Sequence, residues 1–224
     1  MKLILSLVFL AFFQLLPAQN PREINVADFD TIKVFDLITV NLVKSDESKI
    51  VITGQDAEDV EFVQKNELLK IRMKSDKIFD GEETFVHVYY KSLKTIDGNE
   101  GAVILSNELF EQDRLEVRVQ EGARVTAGMA VKNLQVRAVT GGIVELSGVS
   151  ESQVIVANTG GIVENQNLKT DYTKVKVQAG GEVEVFASDE VDVYVRAGGE
   201  VDVYGHPKKV SKKSILGGDI HIHE

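Results

Sequence analysis

The chain has 224 residues and a formal net charge of −10, and it contains 18 glycines but no cysteine. The lack of cysteine excludes disulfides, thiol catalysis, thiolate metal sites and the acylated N-terminal cysteine of a bacterial lipoprotein. The acidic balance repels phosphate backbones, so nucleic acid is not an expected partner.

Residues 1–19 have the pattern of a secretory signal peptide. Lys2 supplies a positive start, residues 3–16 are mainly apolar, and Pro17-Ala18-Gln19 supplies a small-residue cleavage region. This apolar stretch is shorter than the roughly 20 residues that a helix needs to cross a bilayer. We therefore expect an exported protein that is periplasmic, cell-surface or secreted. Its mature chain, residues 20–224, is expected to form one domain without a transmembrane anchor.

Residues 20–99 carry short runs in which apolar and polar side chains alternate, which is the pattern of β-strands. The runs are Ile32–Val34, Val40–Leu42, Ile50–Ile52, Leu69–Met73 and Val86–Tyr89. Polar segments at 44–49 and 75–83 separate some of them as loops. We interpret residues 20–99 as irregular N-terminal rungs and a cap, with a separate small β domain as the alternative.

Residues 100–224 contain a glycine motif that recurs seven times. Its copies begin at Glu100, Gly122, Gly141, Gly160, Gly180, Gly198 and Gly217, and the intervals are 22, 19, 19, 20, 18 and 19 residues. Self-similarity at a near-constant period is typical of solenoids. The glycines separate runs of alternating apolar and polar residues, where a corner needs positive φ or close packing.

This pattern predicts an all-β chain folded as a single-domain, right-handed parallel β-helix with rungs of about 19 residues. The alternative, an antiparallel meander closed into a barrel, would use hairpin turns instead of one repeated corner. Stacking the rungs predicts inward columns of apolar side chains. The first column is Val103, Val125, Val144, Val163, Val183, Val201 and Ile220, and the second begins at Leu105 and contains the polar Asn165. A third column before the corner is Val117, Val136, Ile155, Val175 and Val193.

The order of these elements resembles a known family. The segments Phe29–Val34, Val40–Val43 and Val51–Gly54, followed by the recurring Gly-Gly-x-Val corners, are similar to the head GIN domain family of auto-transporter adhesins. The resemblance covers nearly all of the mature chain. It implies an adhesin-like β-helix protein of the cell envelope, of the type frequent in Bacteroidetes, without catalytic residues to transfer.

Outward positions after the corners carry two acidic columns. One is Glu145, Glu164, Glu184 and Asp202, ending at His221, and the other is Ile143, Ile162, Glu182, Glu200 and Asp219. Like charges one strand apart repel each other, and hard cations such as Ca²⁺ prefer several carboxylate oxygens. Glu182, Glu184, Glu200 and Asp202 are therefore candidate Ca²⁺ ligands, and no other cofactor is expected. The alternative is a solvated face that keeps the chain soluble.

Outward positions before the corners are mainly basic. Arg118, Arg137, Lys176 and Lys213 share a column that also holds Tyr194. One interpretation is that these bases pair with the acids across the corner. The functional interpretation is a groove for a sugar or polymer, with Tyr194, Tyr204 and Arg196 as stacking and hydrogen-bonding groups. A carbohydrate or an envelope protein is the expected partner.

His221 and His223 project to one face at strand spacing near the end of the chain. Together with Asp219 they form a candidate site for zinc or copper. The alternative is that both histidines lie in solvent at a strand end.

Catalysis by a β-helix would need an acid and a base held in a walled groove. Rung intervals of 18 to 22 residues leave little room for the long loops that would form such walls. The sequence therefore predicts a non-catalytic binding or interaction module of the cell envelope, with an unknown ligand. The alternative, by analogy of fold, is a polysaccharide lyase or hydrolase that uses the acidic columns.

Overall fold

The computed structural model describes residues 21–223, so the predicted signal peptide lies outside the described residues. The first eight strands are β1 (Arg22–Asn25), β2 (Thr31–Val34), β3 (Thr39–Lys44), β4 (Lys49–Gly54), β5 (Val60–Lys65), β6 (Leu68–Met73), β7 (Thr84–Tyr90) and β8 (Thr95–Gly98), with a 3-10 turn at Ala57–Asp59. The next five are β9 (Val103–Val119), β10 (Arg124–Val139), β11 (Ile143–Asn158), β12 (Ile162–Asn165) and β13 (Leu168–Gln178). The last five are β14 (Glu182–Phe186), β15 (Glu190–Arg196), β16 (Glu200–Tyr204), β17 (Lys209–Ile215) and β18 (Asp219–Ile222).

From β8 onward, each turn of the chain pairs in parallel with the turns before and after it. Before the corner the ladder runs from β9 through β10, β11, β13 and β15 to β17. After the corner it runs through β11, β12, β14 and β16 to β18. The predicted parallel β-helix is confirmed. Among residues 21–223, no helix is long and apolar enough to cross a membrane.

The repeated corner is a tight turn with two consecutive left-handed residues. At Thr159 and Gly160 the φ angles are 50° and 72°, and the Gly161 N–H donates to the Asn158 carbonyl at 3.0 Å. Positive φ at both central residues is the signature of a type I′ turn, which explains the glycine in the second position. The corresponding first residues of the seven corners are Glu100, Glu121, Thr140, Thr159, Ala179, Ala197 and Leu216.

The first two corners are one residue closer together than the sequence alignment predicted. Glu100 corresponds to Glu121, so Val103 pairs with Arg124 and the fully buried Ile104 pairs with Val125. The predicted inward positions Val103 and Leu105 were therefore wrong. The physical reason is that both corners begin at a left-handed glutamate, Glu100 and Glu121, so Gly101 corresponds to Gly122. The bulge in β9, where the register to β10 shifts between Thr126 and Gly128, comes later and lengthens this rung.

The other inward columns are as predicted. Val125, Val144, Val163, Val183 and Val201 are at most 2% exposed. The column Val117, Val136, Ile155, Val175 and Val193 is buried to the same degree. These side chains belong to one hydrophobic core that extends from Phe29 to Val203, and Ile220 and Ile222 pack against its end.

The N-terminal strands enter the same stack in an order that differs from chain order. β2 pairs in parallel with both β6 and β8, and β3 pairs in parallel with both β7 and β9. The first rung of the chain is thus an inner rung of the solenoid. Antiparallel pairs β1–β4, β4–β7 and β5–β6 complete this end.

A third side of the solenoid, here called the flank, connects the sides after and before the corners. It comprises residues 109–112, 128–131, 148–150 and 168–170, which pair in register. In the next turn the flank is shortened, because β14 reaches β15 through only three residues. The Ser188 N–H then donates to the Thr170 carbonyl at 2.9 Å. This shortening produces a step in the surface beside Phe186.

Candidate binding surfaces

The acidic columns form one exposed face near the C-terminal end of the solenoid. Glu182 pairs with Glu200 and Glu184 with Asp202, and the next rung adds Asp219 and His221. The four candidate Ca²⁺ ligands therefore lie on neighbouring strands, as the sequence predicted.

The local environment of this face opposes ionisation of one carboxyl group. The pKa of Glu184 is raised above its ordinary value, first by burial and then by the charges of Asp202 and Glu164. Burial, followed by the charges of Glu184 and Asp202, also raises the pKa of Tyr204. Nearer the middle of the solenoid, Arg124 Nη1 lies 3.6 Å from Glu145 Oε2 and 3.7 Å from Glu164 Oε2. The column is thus partly neutralised where Arg124 reaches it.

The two C-terminal histidines contact different carboxylates. His223 Nε2 lies 2.6 Å from Asp202 Oδ1, and the His223 ring stacks on Tyr204 with centroids 4.4 Å apart. His221 Nε2 lies 3.6 Å from Glu200 Oε1. Within residues 21–223, no three His, Cys, Asp or Glu side chains are grouped so that they could hold a metal ion. Binding of calcium by the acidic face, or of zinc or copper by Asp219, His221 and His223, stays a prediction.

The predicted sugar-binding residues lie on two different sides of the solenoid. Tyr194 lies between Lys176 and Lys213 in the ladder before the corner. Tyr204 lies on β16 after the corner, where it pairs with Phe186. The corner that begins at Ala197 separates Arg196 from β16. The structure therefore does not bring Tyr194, Arg196 and Tyr204 together in one groove.

A groove on the flank was missed by sequence reasoning. Its volume is about 730 Å³, within the range of small-molecule sites. Residues whose side chains are mostly buried lie along its floor, and more exposed residues of the same strands form its two walls. The floor is Gln112, Val131, Ser150 and Thr170, one wall is Ala130, Val149 and Lys169, the other wall is Asp113, Lys132, Glu151 and Asp171, and Phe186 and Ser188 close one end.

A buried hydrogen-bond network supports the groove from inside. Gln153 Nε2 donates to Thr170 Oγ1 at 3.2 Å and to Thr173 Oγ1 at 3.1 Å. Both threonine hydroxyls donate to the Phe186 carbonyl. Asn165 Nδ2 donates to Gln153 Oε1 at 3.1 Å. The network gives the Phe186 carbonyl hydrogen-bond partners at the step in the surface, and it fixes Thr170 in the groove floor.

The charged groups of the groove walls are partly paired. Lys132 Nζ lies 2.7 Å from Asp113 Oδ1, and the Ser188 hydroxyl donates to Asp171 Oδ1 at 2.9 Å. The hydrogen bond from Lys132 lowers the pKa of Asp113, and the same contact raises the pKa of Lys132. The aliphatic Val149 side chain, on the wall opposite Lys132 and Asp113, is 54% exposed. The groove thus combines an apolar surface with polar groups of both signs.

One sequence signal pointed toward this region. Asn165 is the polar exception in an inward apolar column, and it is fully buried. A buried amide requires partners, and here these partners lie beneath the groove. The groove itself results from the shortened flank. The repeat interval varies only slightly along the sequence, so it does not show in which turn the flank is shortened.

The fold and these surfaces define an all-β solenoid that presents charged faces and a groove on its flank. The chain belongs to the family described as "Putative auto-transporter adhesin, head GIN domain", whose model matches residues 28–207. The family resemblance expected from the sequence is confirmed. No curated protein matches the chain.

Solved structures from Bacteroides fragilis and Parabacteroides distasonis share the fold. A "putative adhesin" from Bacteroides fragilis is 20% identical with a TM-score of 0.81, and the match covers 92% of this chain and 99% of that one. A "putative adhesin" from Parabacteroides distasonis is 20% identical with a TM-score of 0.69, covering 91% and 96%. A "putative lipid binding protein" from Parabacteroides distasonis is 19% identical with a TM-score of 0.69, covering 92% and 98%. At this identity the likeness concerns the fold.

Proposed function

We propose that this protein is an exported, non-catalytic binding module of the cell envelope with an adhesin-like role. Membership of the family described as an adhesin head supports this proposal. The observation that carries it is the flank groove, a concave site of about 730 Å³ on a scaffold of stacked strands.

The construction of the groove favours binding. Its walls stand on four strands that pair in succession, β9 with β10, β10 with β11 and β11 with β13, and the floor residue Thr170 is fixed by hydrogen bonds. A site held in place before the ligand arrives loses little conformational entropy on binding. The paired Lys132 and Asp113 likewise hold one wall in a defined arrangement.

A polysaccharide lyase or hydrolase that uses the acidic face is the alternative function. The raised pKa of Glu184 is the feature of this face that a general acid would share. The same environment is also expected of a carboxyl group that is simply crowded by Glu164 and Asp202. The alternative therefore requires detection of reaction products.

The test is an array of glycans and polysaccharides probed with residues 20–224, with calcium or with a chelator, while the same polymers are assayed for cleavage. The expected result is selective binding without products. Product formation that is lost in Glu184→Gln would establish the enzyme and overturn the proposal. Binding that disappears with the chelator would instead identify calcium as part of the acidic face.

A further inference from the structure

We infer that the flank groove binds an uncharged, linear glycan chain that lies along the solenoid axis. This inference rests on the proposed function, and it specifies the ligand class and the place of binding. It differs from the sequence-based prediction, which placed a sugar groove at Tyr194, Tyr204 and Arg196.

The direction of the groove indicates a linear ligand. Its floor passes from Gln112 to Val131, Ser150 and Thr170, which are paired partners on successive strands. Ser188 follows in the next turn, hydrogen-bonded to Thr170. The groove therefore crosses five rungs at right angles to the strands, a length of about 19 Å at ~4.8 Å per rung. The rung spacing is close to the length of one hexose unit, so a glycan would meet equivalent wall positions at each sugar.

The surface chemistry fits a sugar chain. A hexose ring has an apolar C–H face and hydroxyl groups around its edge, so it needs an apolar platform flanked by hydrogen-bonding groups. Ala130, Val149 and Phe186 provide the apolar surface of the groove. Lys169, Glu151 and Asp171 stand on the walls with donors and acceptors for hydroxyl groups.

The charge distribution favours a neutral chain over a charged one. The walls carry the bases Lys132 and Lys169 and the acids Asp113, Glu151 and Asp171, so neither sign of charge dominates strongly. The whole chain has a formal charge of −10, which repels polyuronates and anionic membranes at long range. The wall formed by Asp113, Lys132, Glu151 and Asp171 would also leave an acyl chain in contact with charged groups along one side of the groove, which disfavours a lipid tail.

Two substitutions in β11 provide a matched test. Val149→Asp removes the apolar side chain from the groove wall, whereas Val154→Asp makes the same change outside the groove, at a residue of similar exposure. Val149 is 54% exposed and Val154 is 44% exposed, so both variants are expected to fold. Circular dichroism and thermal melting verify folding before binding is measured.

Calorimetric titration of residues 20–224 would use neutral β-1,4-linked oligosaccharides of glucose, mannose and xylose with two to six units. Oligogalacturonates and phosphatidylglycerol vesicles serve as anionic and lipid probes. We expect at least one neutral series to bind, with affinity that rises up to about four units, since four ~4.8 Å rung intervals span the groove. Val149→Asp is expected to weaken this binding about tenfold or more, and Val154→Asp less than about twofold.

Several results would overturn the inference and still leave the proposed function intact. These are binding of the oligogalacturonates or the vesicles alone, or neutral-glycan binding that is lost in Val154→Asp and kept in Val149→Asp. Failure of every neutral series to bind also overturns it. Cleavage of a bound oligosaccharide would contradict the proposed function while the groove assignment could still be judged from the two variants.

Discussion

The side-chain amide of Asn165 donates a 3.1 Å hydrogen bond to Gln153 Oε1 inside the hydrophobic core, although the two residues lie on different strands. Asn165 Oδ1 in turn accepts the Leu146 N–H at 3.1 Å, next to the end of β12. The two amides therefore complete hydrogen bonding where the strand ladder is interrupted. Their polarity is a requirement of the fold at this rung.

Replacing Gln153 by leucine should strongly destabilise the protein. The substitution leaves the Asn165 amide without its acceptor and removes a donor from Thr170 and Thr173. Buried polar groups that lose their partners cost about 1–3 kcal/mol each, so we expect a loss of about 2–4 kcal/mol in the free energy of unfolding. Urea unfolding measures this value. The exposed Gln135→Leu is the control and should change stability by less than about 0.5 kcal/mol. Equal losses in both variants would contradict a structural role for the network.

The two glycines of one corner should respond differently to alanine. A Cβ at Gly160 would meet nothing within 4 Å, but the residue has a φ of +72°. A Cβ at Gly161 would lie 2.1 Å from the Ala138 carbonyl oxygen. Gly160→Ala is therefore expected to cost about 1–2 kcal/mol for the left-handed backbone. Gly161→Ala should cost about 3 kcal/mol or more, because the backbone of the neighbouring rung must move.

Denaturant midpoints of the two variants, measured with the slope of each transition, distinguish these causes. The comparison that matters is which of the two variants loses more free energy of unfolding. If Gly160→Ala were the more destabilising variant, the close approach of neighbouring corners would not be what selects the second glycine.

Two histidine variants, one in β18 and one directly after it, should distinguish a close contact from a more distant one. His223 stacks on Tyr204 and contacts Asp202 at 2.6 Å, whereas His221 lies 3.6 Å from Glu200. His223→Ala should therefore lower the local stability of β18 by about 0.5–1 kcal/mol, and His221→Ala should have a smaller effect. Amide hydrogen exchange of Asp219–Ile222 measures the difference. Faster exchange in His221→Ala than in His223→Ala would contradict the importance of the stacked contact.

The regular rungs could be predicted from the sequence because residues close together in the chain specify each rung. A glycine in the left-handed position and alternating valines specify the corner and the inward columns, and Val144, Val163 and Val183 lie where the pattern places them. The first corner was misaligned because the bulge in β9 lengthens the rung between Glu100 and Glu121, so the regular repeat interval does not show which residue begins the corner. Local pattern carries no information about such a register shift.

The N-terminal arrangement and the groove depend on contacts between distant residues. The sequence cannot indicate that β2 lies between β6 and β8, because strands of similar composition can pair in several orders. The groove likewise results from a flank that is shorter in one turn than in the previous one. Of its residues, none belongs to the candidate site predicted from charge and aromatic columns, since those columns mark only the outward faces of regular strands.

Glu100 should make the stability of the protein dependent on pH. It is the first residue of a corner, with a φ of 51°, and the Leu37 N–H donates to its carbonyl at 2.9 Å in the stack of corners. Burial raises the pKa of Glu100 above its ordinary value, and the neighbouring Asp36 and Glu121 raise it further. Asp36 is itself held in place, because its carboxylate accepts the N–H groups of Met73 and Phe79.

The sign of the effect follows from linkage. The folded state favours protonated Glu100, so this group stabilises the fold below its ordinary pKa of 4.5, and that contribution is lost as the pH rises through the raised value. Glu100→Gln keeps a neutral side chain at every pH and should melt at a higher temperature than the natural protein at neutral pH. The two melting temperatures should approach each other as the pH falls toward about 4.

Melting curves from about pH 4 to about pH 8 test this expectation, with Glu111→Gln as the control. Glu111 is exposed on the flank, so its replacement should shift the melting temperature little at any pH. If Glu100→Gln instead melted at a lower temperature than the natural protein at neutral pH, with a difference that closes toward acidic pH, Glu100 would be stabilised as a carboxylate. That result would mean that the charge of Lys70, which favours the ionised form, outweighs burial and the repulsion from Asp36 and Glu121.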